Sequence, residues 1–389
     1  MYRFRAKGAL RSLGLFTIVV LLMGTFFASI PIVQADGTAD PVASLNVPAE
    51  HFIGEPLNFT VSFDNADPDT ADVGYGPYID LILPAAGVDG SGGAVDDGIT
   101  FIDANYLGAP LTPVIPPFIC SGGTFTHPLT GIATPCVDGT QVVVLQLPFG
   151  SFTPDQPAAD ITVNADLSNL ADLSAPLDIE ATAGFIYGND PLDNPGSDPP
   201  IVQSPSTSAS VTPTLLTLTK NYIGPEDETA TGPNFPRRYE IVVDIADGQI
   251  ITDLDIIDLL PNNMAFLQVV STTPAGSTVV ETPTVDAAAN PPDNDLIVNF
   301  PSVTGTIAEN DVVVIFEFYI PHLDADGTNV LDATTGDDVL SENEANAVGD
   351  WTPIDNRDTG GTDNAIADPA GPEHVLEDQS IAIQKGVTN

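Results

Sequence analysis

The chain has 389 residues and carries 54 acidic residues against nine basic ones, which gives a formal net charge of −45. A surface this negative repels nucleic acid and anionic lipid, so we exclude both as partners. Hydrophobic residues make up 43% of the chain, which is enough to form folded cores despite the acidity. Three explanations fit the charge: a saline environment, calcium binding, and solubility alone.

Residues 1–35 have the pattern of an export signal. An apolar run, Leu13–Phe27, follows a basic segment and precedes small residues that end at Ala35. The alternative is an uncleaved membrane anchor, although the run is shorter than the ~20 residues that a span prefers. In both cases the bulk of the chain lies outside the cytoplasm. We therefore expect a signal-peptide helix and a Sec-exported protein, extracellular or at the cell surface.

The elements predicted after residue 35 are all strands. Short runs rich in Val, Ile, Phe and Tyr alternate with clusters of Gly, Pro, Asn and Asp, and helical periodicity is absent. The predicted strands cover residues 57–63, 141–147, 159–166, 238–245, 295–300 and 311–320. This pattern predicts an all-β protein made of tandem Ig-like β-sandwich domains.

Two segments of the chain recur in the same order. Phe59–Asp67 reappears as Tyr239–Asp247, and Pro191–Asn194 reappears as Pro353–Asn356. We predict repeat 1 over residues 39–212, repeat 2 over residues 213–377, and the first strand of a truncated third repeat over residues 378–389. A tandem array of one module is typical of a structural or adhesive protein.

Repeat 1 contains the two cysteines, Cys120 and Cys136, within an insertion that repeat 2 lacks. In an exported chain this pair predicts a disulfide, which stabilises a loop of this size by ~3 kcal/mol in the chain-entropy picture. The alternative is a metal site, but His127 is the only nearby nitrogen donor and a closed zinc site needs four ligands. The loop that this disulfide closes, residues 121–135, is called the stapled loop below. It is either a ligand-binding tip or a surface loop without function.

Calcium is the one cofactor that the sequence suggests. Asp324, Asp326 and Asn329 resemble the start of a calcium loop, although position twelve is Thr335 rather than glutamate; the alternative is a solvated hairpin. A second acidic group recurs near the end of each repeat, where a cation can tie neighbouring modules together; the alternative is an Asx-turn with exposed acids. This group consists of Asp193, Asn194 and Asp198 in repeat 1, and Asp355, Asn356 and Asp358 in repeat 2.

Lysine is scarce, yet Lys220 ends the opening strand of repeat 2 and Lys385 holds the same place in repeat 3. An Asp-Leu-Leu-Pro segment follows at Asp258–Pro261, with Asp80–Pro84 as its relative in repeat 1, and Asn343–Ala345 opens a late strand. Together these motifs resemble the Ig-like conserved repeat domain of large bacterial surface and adhesin-like proteins. The resemblance covers nearly all of the chain after residue 35.

The resemblance implies a specific chemistry, because related domains in fimbrial proteins form an internal isopeptide bond. The implied roles in repeat 2 are Lys220 as nucleophile, Asn343 as acceptor with Asn346 as runner-up, and Asp258 as the acid. The alternative for Lys220 is an ordinary surface salt bridge. Repeat 1 departs from the pattern, since Ile179 stands where the asparagine is expected and Asn46-Val47 where the lysine is expected.

The sequence therefore predicts a secreted or cell-surface structural or adhesive protein whose Ig-like modules form a stalk. Its partners are neighbouring repeats or a surface ligand. The first alternative is a calcium- or carbohydrate-binding surface module. The second, a glycoside hydrolase, is disfavoured because no candidate pair of catalytic carboxylates is shared by the two repeats. We expect no enzymatic activity.

Overall fold

In a computed structural model of the chain, the described residues are 38–90, 95–192, 200–224, 232–283, 295–308, 310–324, 326–330, 343–355 and 357, together with the backbone of 363–366. The predicted signal peptide and the predicted third repeat lie outside these residues. Every regular element in the described part is a strand, which confirms the predicted all-β class. No helix in that part has the length and hydropathy needed to cross a membrane.

The first group of strands, which we call module 1, forms two packed sheets. Its strands are β1 (Pro41–Asn46), β2 (Glu50–Phe52), β3 (Pro56–Asn65), β4 (Gly74–Leu83), β5 (Ile99–Tyr106), β6 (Ala109–Pro110), β7 (Phe118–Ile119), β8 (Thr124–Thr126), β9 (Ala133–Pro135), β10 (Gln141–Gln146), β11 (Ser151–Phe152), β12 (Ala159–Leu167), β13 (Leu177–Tyr187), β14 (Val202–Gln203) and β15 (Thr207–Thr214). One sheet has the order β1-β3-β12-β5-β6, and the other has β2-β15-β13-β4-β10-β7. The short strands β8 and β9 form a separate hairpin.

The second group, module 2, has the same two-sheet architecture. Its strands are β16 (Leu216–Gly224), β17 (Arg237–Ile245), β18 (Ile250–Leu259), β19 (Ala265–Thr273), β20 (Thr278–Glu281), β21 (Asp295–Thr304), β22 (Val312–Tyr319), β23 (Glu344–Trp351) and β24 (Asp363–Ile366). The sheet orders are β16-β17-β22-β19 and β20-β21-β18-β23-β24.

The two modules share one topology. The order β1-β3-β12-β5 in module 1 corresponds to β16-β17-β22-β19 in module 2, and β13-β4-β10 corresponds to β23-β18-β21. Strands β6 to β9 of module 1 lie between the equivalents of β19 and β21, where the sequence places its insertion. The equivalence allows a residue in one module to be matched with its counterpart in the other.

Alternation of apolar and polar residues places the core between the sheets. Along β3, Leu57, Phe59, Val61 and Phe63 are buried while the residues between them are more exposed. Strand β17 repeats the pattern with Tyr239 and its alternate neighbours. Burying each such side chain contributes about 1.5–3 kcal/mol to stability, so the alternation explains why these strands form the inner layer.

A single residue connects the modules. Strand β15 ends at Thr214 and β16 begins at Leu216, with buried Leu215 between them. The Ala246 amide of module 2 donates a 2.8 Å hydrogen bond to the Leu215 carbonyl. The last residues of β15 pair in parallel with β2, so both sides of the connection are tied into sheets.

Candidate functional site

Lys220 lies in the core of module 2. On β16 it follows Leu216 and Leu218 at alternate positions, so its side chain points inwards with theirs. The side chain has no exposed surface. A lysine is almost never fully buried without a partner, which makes this position the most unusual in the described part of the chain.

Asp258, on β18 of the facing sheet, is the partner of Lys220. Its carboxyl oxygen Oδ2 accepts a hydrogen bond from Nζ of Lys220, and the aspartate itself is fully buried. The lysine Nζ also lies 4.6 Å from the centre of the Tyr239 ring and 5.9 Å from that of Phe316. The amine therefore sits in an aromatic pocket that is closed to solvent.

This environment shifts both ionisation equilibria towards the neutral forms. Burial lowers the pKa of the Lys220 amine, and the attraction of Asp258 offsets only part of that shift. Burial raises the pKa of the Asp258 carboxyl, against the opposing effects of Lys220 and Asn343. The core thus favours a neutral amine beside a protonated carboxylic acid.

Asn343 completes the cluster. It immediately precedes β23 and is fully buried, two residues before Ala345, which pairs with Asp258 across the sheet. Its carboxamide interacts with the Asp258 carboxyl and lowers its pKa, but neither polar atom of the carboxamide makes a hydrogen bond of ordinary geometry. Oδ1 of Asp258 also lacks a hydrogen-bond partner.

Asn346, the runner-up acceptor, has a different orientation. Alternation along β23 directs Ala345 and Ala347 into the core, and Asn346 between them faces the other side of the sheet. Asn343 shares the face of Ala345 and hence of Asp258. The fold therefore brings Lys220, Asp258 and Asn343 together and leaves Asn346 apart from them.

Strand pairing identifies the counterparts of this cluster in module 1. Lys220 pairs with Ile241, whose sequence equivalent is Val61, and Val61 pairs with Leu45. Leu45, rather than Asn46 or Val47, thus holds the lysine position.

The other two positions follow from the facing sheet. Asp258 pairs with Ala345, and the same register in module 1 pairs Leu81 with Ala181. Ile179, two residues before Ala181, then matches Asn343. Module 1 therefore has three apolar residues, Leu45, Leu81 and Ile179, where module 2 has lysine, aspartate and asparagine.

Asp80, which the motif comparison aligned with Asp258, is not its structural counterpart. It lies one residue before Leu81 and so faces outwards from the sheet, because side chains alternate along a strand. There it accepts a 3.0 Å hydrogen bond from Nε2 of His127, in the stapled loop. Nδ1 of His127 accepts from the Leu129 and Thr130 amides, which leaves the ring proton on Nε2.

Cys120 and Cys136 form the predicted disulfide, with their Cα atoms 5.4 Å apart. They pack with Val142 and Val144 in a small second core on the outer face of the β4–β10 sheet. The stapled loop is therefore a lid over this face rather than a projecting tip.

Two of the predicted calcium ligands within the described residues, Asp324 and Asp355, make hydrogen bonds to neighbouring groups of the chain. Oδ1 of Asp324 accepts hydrogen bonds from the Asp326 and Thr328 amides within its own turn, as in the hairpin alternative. The side chain of Asp355 forms a two-oxygen ion pair with Arg357, which lowers the pKa of the carboxyl. The remaining members of the junction group, Asp193, Asn194, Asp198, Asn356 and Asp358, lie outside the described residues.

Sequence reasoning missed the aromatic walls of the lysine pocket. Tyr239 lies on β17, directly beside β16, and Phe316 lies on β22. The alternation of β17 was visible in the sequence, but the pairing of β16 with β17 and of β17 with β22 was needed to place both rings against Lys220.

No family model matches the chain, and no curated protein matches it in sequence. Among solved structures, it is similar to a putative membrane-anchored protein from Corynebacterium diphtheriae, at 8% identity over 89% of this chain and 96% of that one, with a TM-score of 0.27. It is also similar to a C-terminal fragment of a major pilin of Streptococcus agalactiae, at 11% identity over 84% and 91%, with a TM-score of 0.27. An enzyme of macrocyclisation in alchivemycin A biosynthesis has 16% identity over 44% and 88%, with a TM-score of 0.29. Similarity at these TM-scores supports no conclusion about function.

Proposed function

We propose that the protein is a structural component of the cell surface or the extracellular space, and that module 2 is locked by an isopeptide bond between Lys220 and Asn343. The observation that carries the proposal is the solvent-free contact of Lys220 with Asp258, next to a fully buried asparagine whose carboxamide makes no regular hydrogen bond. The cellular location is supported by the export-signal pattern of residues 1–35.

The chemistry needs only these three side chains. The neutral amine of Lys220 attacks the carboxamide carbon of Asn343 while the protonated Asp258 donates a hydrogen bond to the carboxamide oxygen. A carbon–nitrogen bond forms to Nζ, the bond to Nδ2 breaks, and Asp258 relays a proton from the lysine nitrogen to the departing group. The products are a secondary amide and one molecule of ammonia, with no change of oxidation state.

An ordinary salt bridge is a poorer account of the same cluster. Surface pairs contribute little, and a buried pair is costly unless its remaining polar atoms are hydrogen-bonded. Here Oδ1 of Asp258 and both polar atoms of Asn343 lack such partners. Each buried polar atom left without a partner costs about 1–3 kcal/mol, and amide formation removes one of them, Nδ2 of Asn343, as ammonia.

The bond would stabilise the module by joining its two sheets. Lys220 belongs to the β16 sheet and Asn343 leads into β23 of the other sheet. By analogy with a disulfide, closing a loop of about 100 residues lowers the entropy of the unfolded chain by an amount equivalent to about 4.7 kcal/mol. A rigid, covalently closed sandwich suits a protein whose role is structural, with neighbouring repeats as its first partners.

Intact-protein mass spectrometry of the purified full chain tests the proposal. We expect a mass lower by one ammonia than the sequence predicts, after allowance for the disulfide and for any signal cleavage, and a branched Lys220–Asn343 peptide after proteolysis. Lys220→Arg and Asn343→Ala should each retain the full mass. Asn346→Ala is the matched control and should still lose ammonia, because its side chain lies on the opposite face of β23. A folded wild-type protein of full mass would overturn the proposal.

A further inference from the structure

Three aspartates from two loops of module 1 converge on one point. Asp89 and Asp97 lie in the loop between β4 and β5, and Asp172 lies in the loop between β12 and β13. One carboxylate oxygen from each residue lies within 4.8 Å of the other two. None of these residues belongs to the calcium candidates that the sequence suggested, because the spacing within either loop gives no sign that the loops meet.

Asp97 is fixed in a way that presents one oxygen to this point. The residue is fully buried, and its Oδ2 accepts hydrogen bonds from the Val88 and Asp89 amides, both at 3.2 Å. Its Oδ1 has no hydrogen-bond partner. A carboxylate held by two amides, with its second oxygen buried and unpartnered beside two further carboxylates, is a built site for a positively charged ligand.

The backbone around Asp97 leaves little room for movement. A Cβ atom on Gly87, whose φ is +60°, would lie 2.2 Å from the Asp97 carbonyl oxygen, and one on Gly98 would lie 1.7 Å from the Pro84 carbonyl oxygen. Both positions therefore need glycine. The tight turn holds the aspartate in place without a bound ligand.

The arrangement is electrostatically incomplete in the protein alone. Three carboxylates converge at this point, and one of them, Asp97, is fully buried. The only nearby cation in the described part of the chain is Arg357, whose Nε lies 3.5 Å from Asp89. Its hydrogen bonds go to Asp355 and Asp96 instead of Asp97.

We propose that Asp89, Asp97 and Asp172 bind one divalent cation, and that the cation is calcium. Three carboxylates and no histidine or cysteine form a set of hard oxygen ligands, which disfavours zinc and copper. Calcium accepts irregular oxygen sites completed by water, whereas magnesium demands near-ideal octahedral geometry and dehydrates reluctantly. The proposal is independent of the isopeptide bond, which lies in the other module.

The site also adjoins the contact between the modules. Asp96, next to Asp97, accepts a 2.9 Å hydrogen bond from Arg357, which lies beyond β23 of module 2. A cation bound to Asp97 would fix the same loop that presents Asp96 to Arg357. Calcium is therefore expected to stabilise module 1 and to strengthen its contact with module 2.

Calorimetric titration of the chelator-treated full chain with calcium chloride tests the proposal, with the melting temperature measured in parallel. We expect one strong site in the wild type and a higher melting temperature with millimolar calcium, since a ligand of the native state stabilises it. Asp97→Asn and Asp172→Asn should each weaken binding by at least about tenfold. Asp324→Asn is the matched control and should bind like the wild type.

The variants separate loss of a ligand from loss of the fold. Asp97→Asn removes a buried charge, so without calcium it should melt no lower than the wild type, and only its response to calcium should disappear. Absence of a calcium response in the wild type, or a full response in both Asp97→Asn and Asp172→Asn, would overturn the site. An equal response to magnesium would overturn the assignment to calcium.

Discussion

Asp80 and Asp258 occupy neighbouring motif positions in the two modules but lie on opposite faces of equivalent strands. Asp258 faces the core and contacts Lys220, whereas Asp80 faces outwards and contacts His127. A difference of one residue in the spacing to the following proline accounts for the change, because side chains alternate along a strand. The same motif therefore contributes to a buried Lys–Asp contact in one module and to the attachment of the stapled loop in the other.

Replacing Asp258 with asparagine should block formation of the proposed bond. Asparagine keeps the size of the side chain but cannot relay the proton, and a positioned acid–base group typically contributes about 10²–10⁴-fold to the rate. We expect the intact mass of Asp258→Asn to show no loss of ammonia at times when the wild type has fully lost it.

Asp80→Asn is the control for that experiment, since Asp80 lies on the far side of a different sheet. It should leave the reaction in module 2 unchanged. Equal reaction rates in wild type and Asp258→Asn would exclude the assigned role of this carboxyl.

Module 1 suggests how to remove the cluster without damaging the sandwich. We predict that the triple variant Lys220→Leu, Asp258→Leu, Asn343→Ile folds, because Leu45, Leu81 and Ile179 occupy the equivalent positions in module 1. The single variant Lys220→Met leaves the buried Asp258 carboxyl without its hydrogen-bond partner, which typically costs about 1–3 kcal/mol.

Urea denaturation compares these two variants, neither of which can form the bond. The triple variant should have the larger free energy of unfolding. If Lys220→Met is as stable as the triple variant, the loss of Lys220 does not destabilise the buried Asp258 and Asn343 side chains, and the predicted energetic coupling among the three residues is wrong.

Strands β13 and β4 lie so close together at Gly184 that adding a methyl group there should lower the stability of module 1. A Cβ atom on Gly184 would lie 2.3 Å from Cζ of the buried Tyr78 ring, its cross-strand neighbour. Gly184→Ala should therefore destabilise module 1 by about 1–3 kcal/mol, as overpacking does elsewhere. Gly150→Ala is the control, because a Cβ atom there meets nothing within 4 Å. Thermal unfolding should show a lower melting temperature for the first variant only.

The packing of the stapled loop against module 1 should depend on the Cys120–Cys136 disulfide. Removing it in a Cys120→Ala, Cys136→Ala variant should cost about 3 kcal/mol in the chain-entropy picture and loosen the small core that contains Val142 and Val144. A reducing agent should lower the melting temperature of the wild type and leave that of the double variant unchanged. A response of both proteins to the reducing agent would contradict this assignment.

Glu317 gives module 2 a defined sensitivity to acid. Hydrogen bonds from Gln268 and Arg238, at 2.6 and 2.7 Å, lower the pKa of its carboxyl below the ordinary 4.5. A group with a lowered folded-state pKa stabilises the protein above its unfolded-state pKa, and that contribution is lost as the pH falls through the folded-state value.

We therefore expect Glu317→Gln to be less stable than the wild type at neutral pH and to show a smaller loss of stability below pH 4.5. Glu281→Gln, at an exposed position on β20, serves as control. Melting temperatures measured across the acid range check the prediction. Parallel curves for wild type and Glu317→Gln would show that the hydrogen bonds contribute nothing to acid stability.

The strands and the disulfide were accessible from the sequence because each rests on local information. Alternation marks Leu57–Phe63 as a half-buried strand, and two cysteines in a chain that begins with an export-signal pattern have one obvious pairing. The lysine cluster was accessible through the scarcity of lysine and the motif that surrounds Asp258. The face on which Asp80 lies depends on the strand register, which the spacing of a short motif does not provide.

The cluster of Asp89, Asp97 and Asp172 in module 1 could not be predicted from the sequence. Asp97 and Asp172 are brought together by the closure of two loops at one end of a sandwich, and 54 acidic residues provide many equally plausible pairs. Burial distinguishes Asp97 from most acidic residues in the described part of the chain, and burial of a loop residue depends on tertiary packing. Local propensity contains no such information.

The proposed bond between Lys220 and Asn343 would limit how far module 2 can lengthen under tension. An unfolded segment extends by roughly 3.3–3.6 Å per residue, so the contour length released by unfolding grows with the number of free residues. Lys220 lies in the first strand of the module and Asn343 immediately before β23. With these two residues joined, strands β17 to β22 are enclosed by the bond, and pulling at the ends of the module would release only the residues outside 220–343, including β23 and β24.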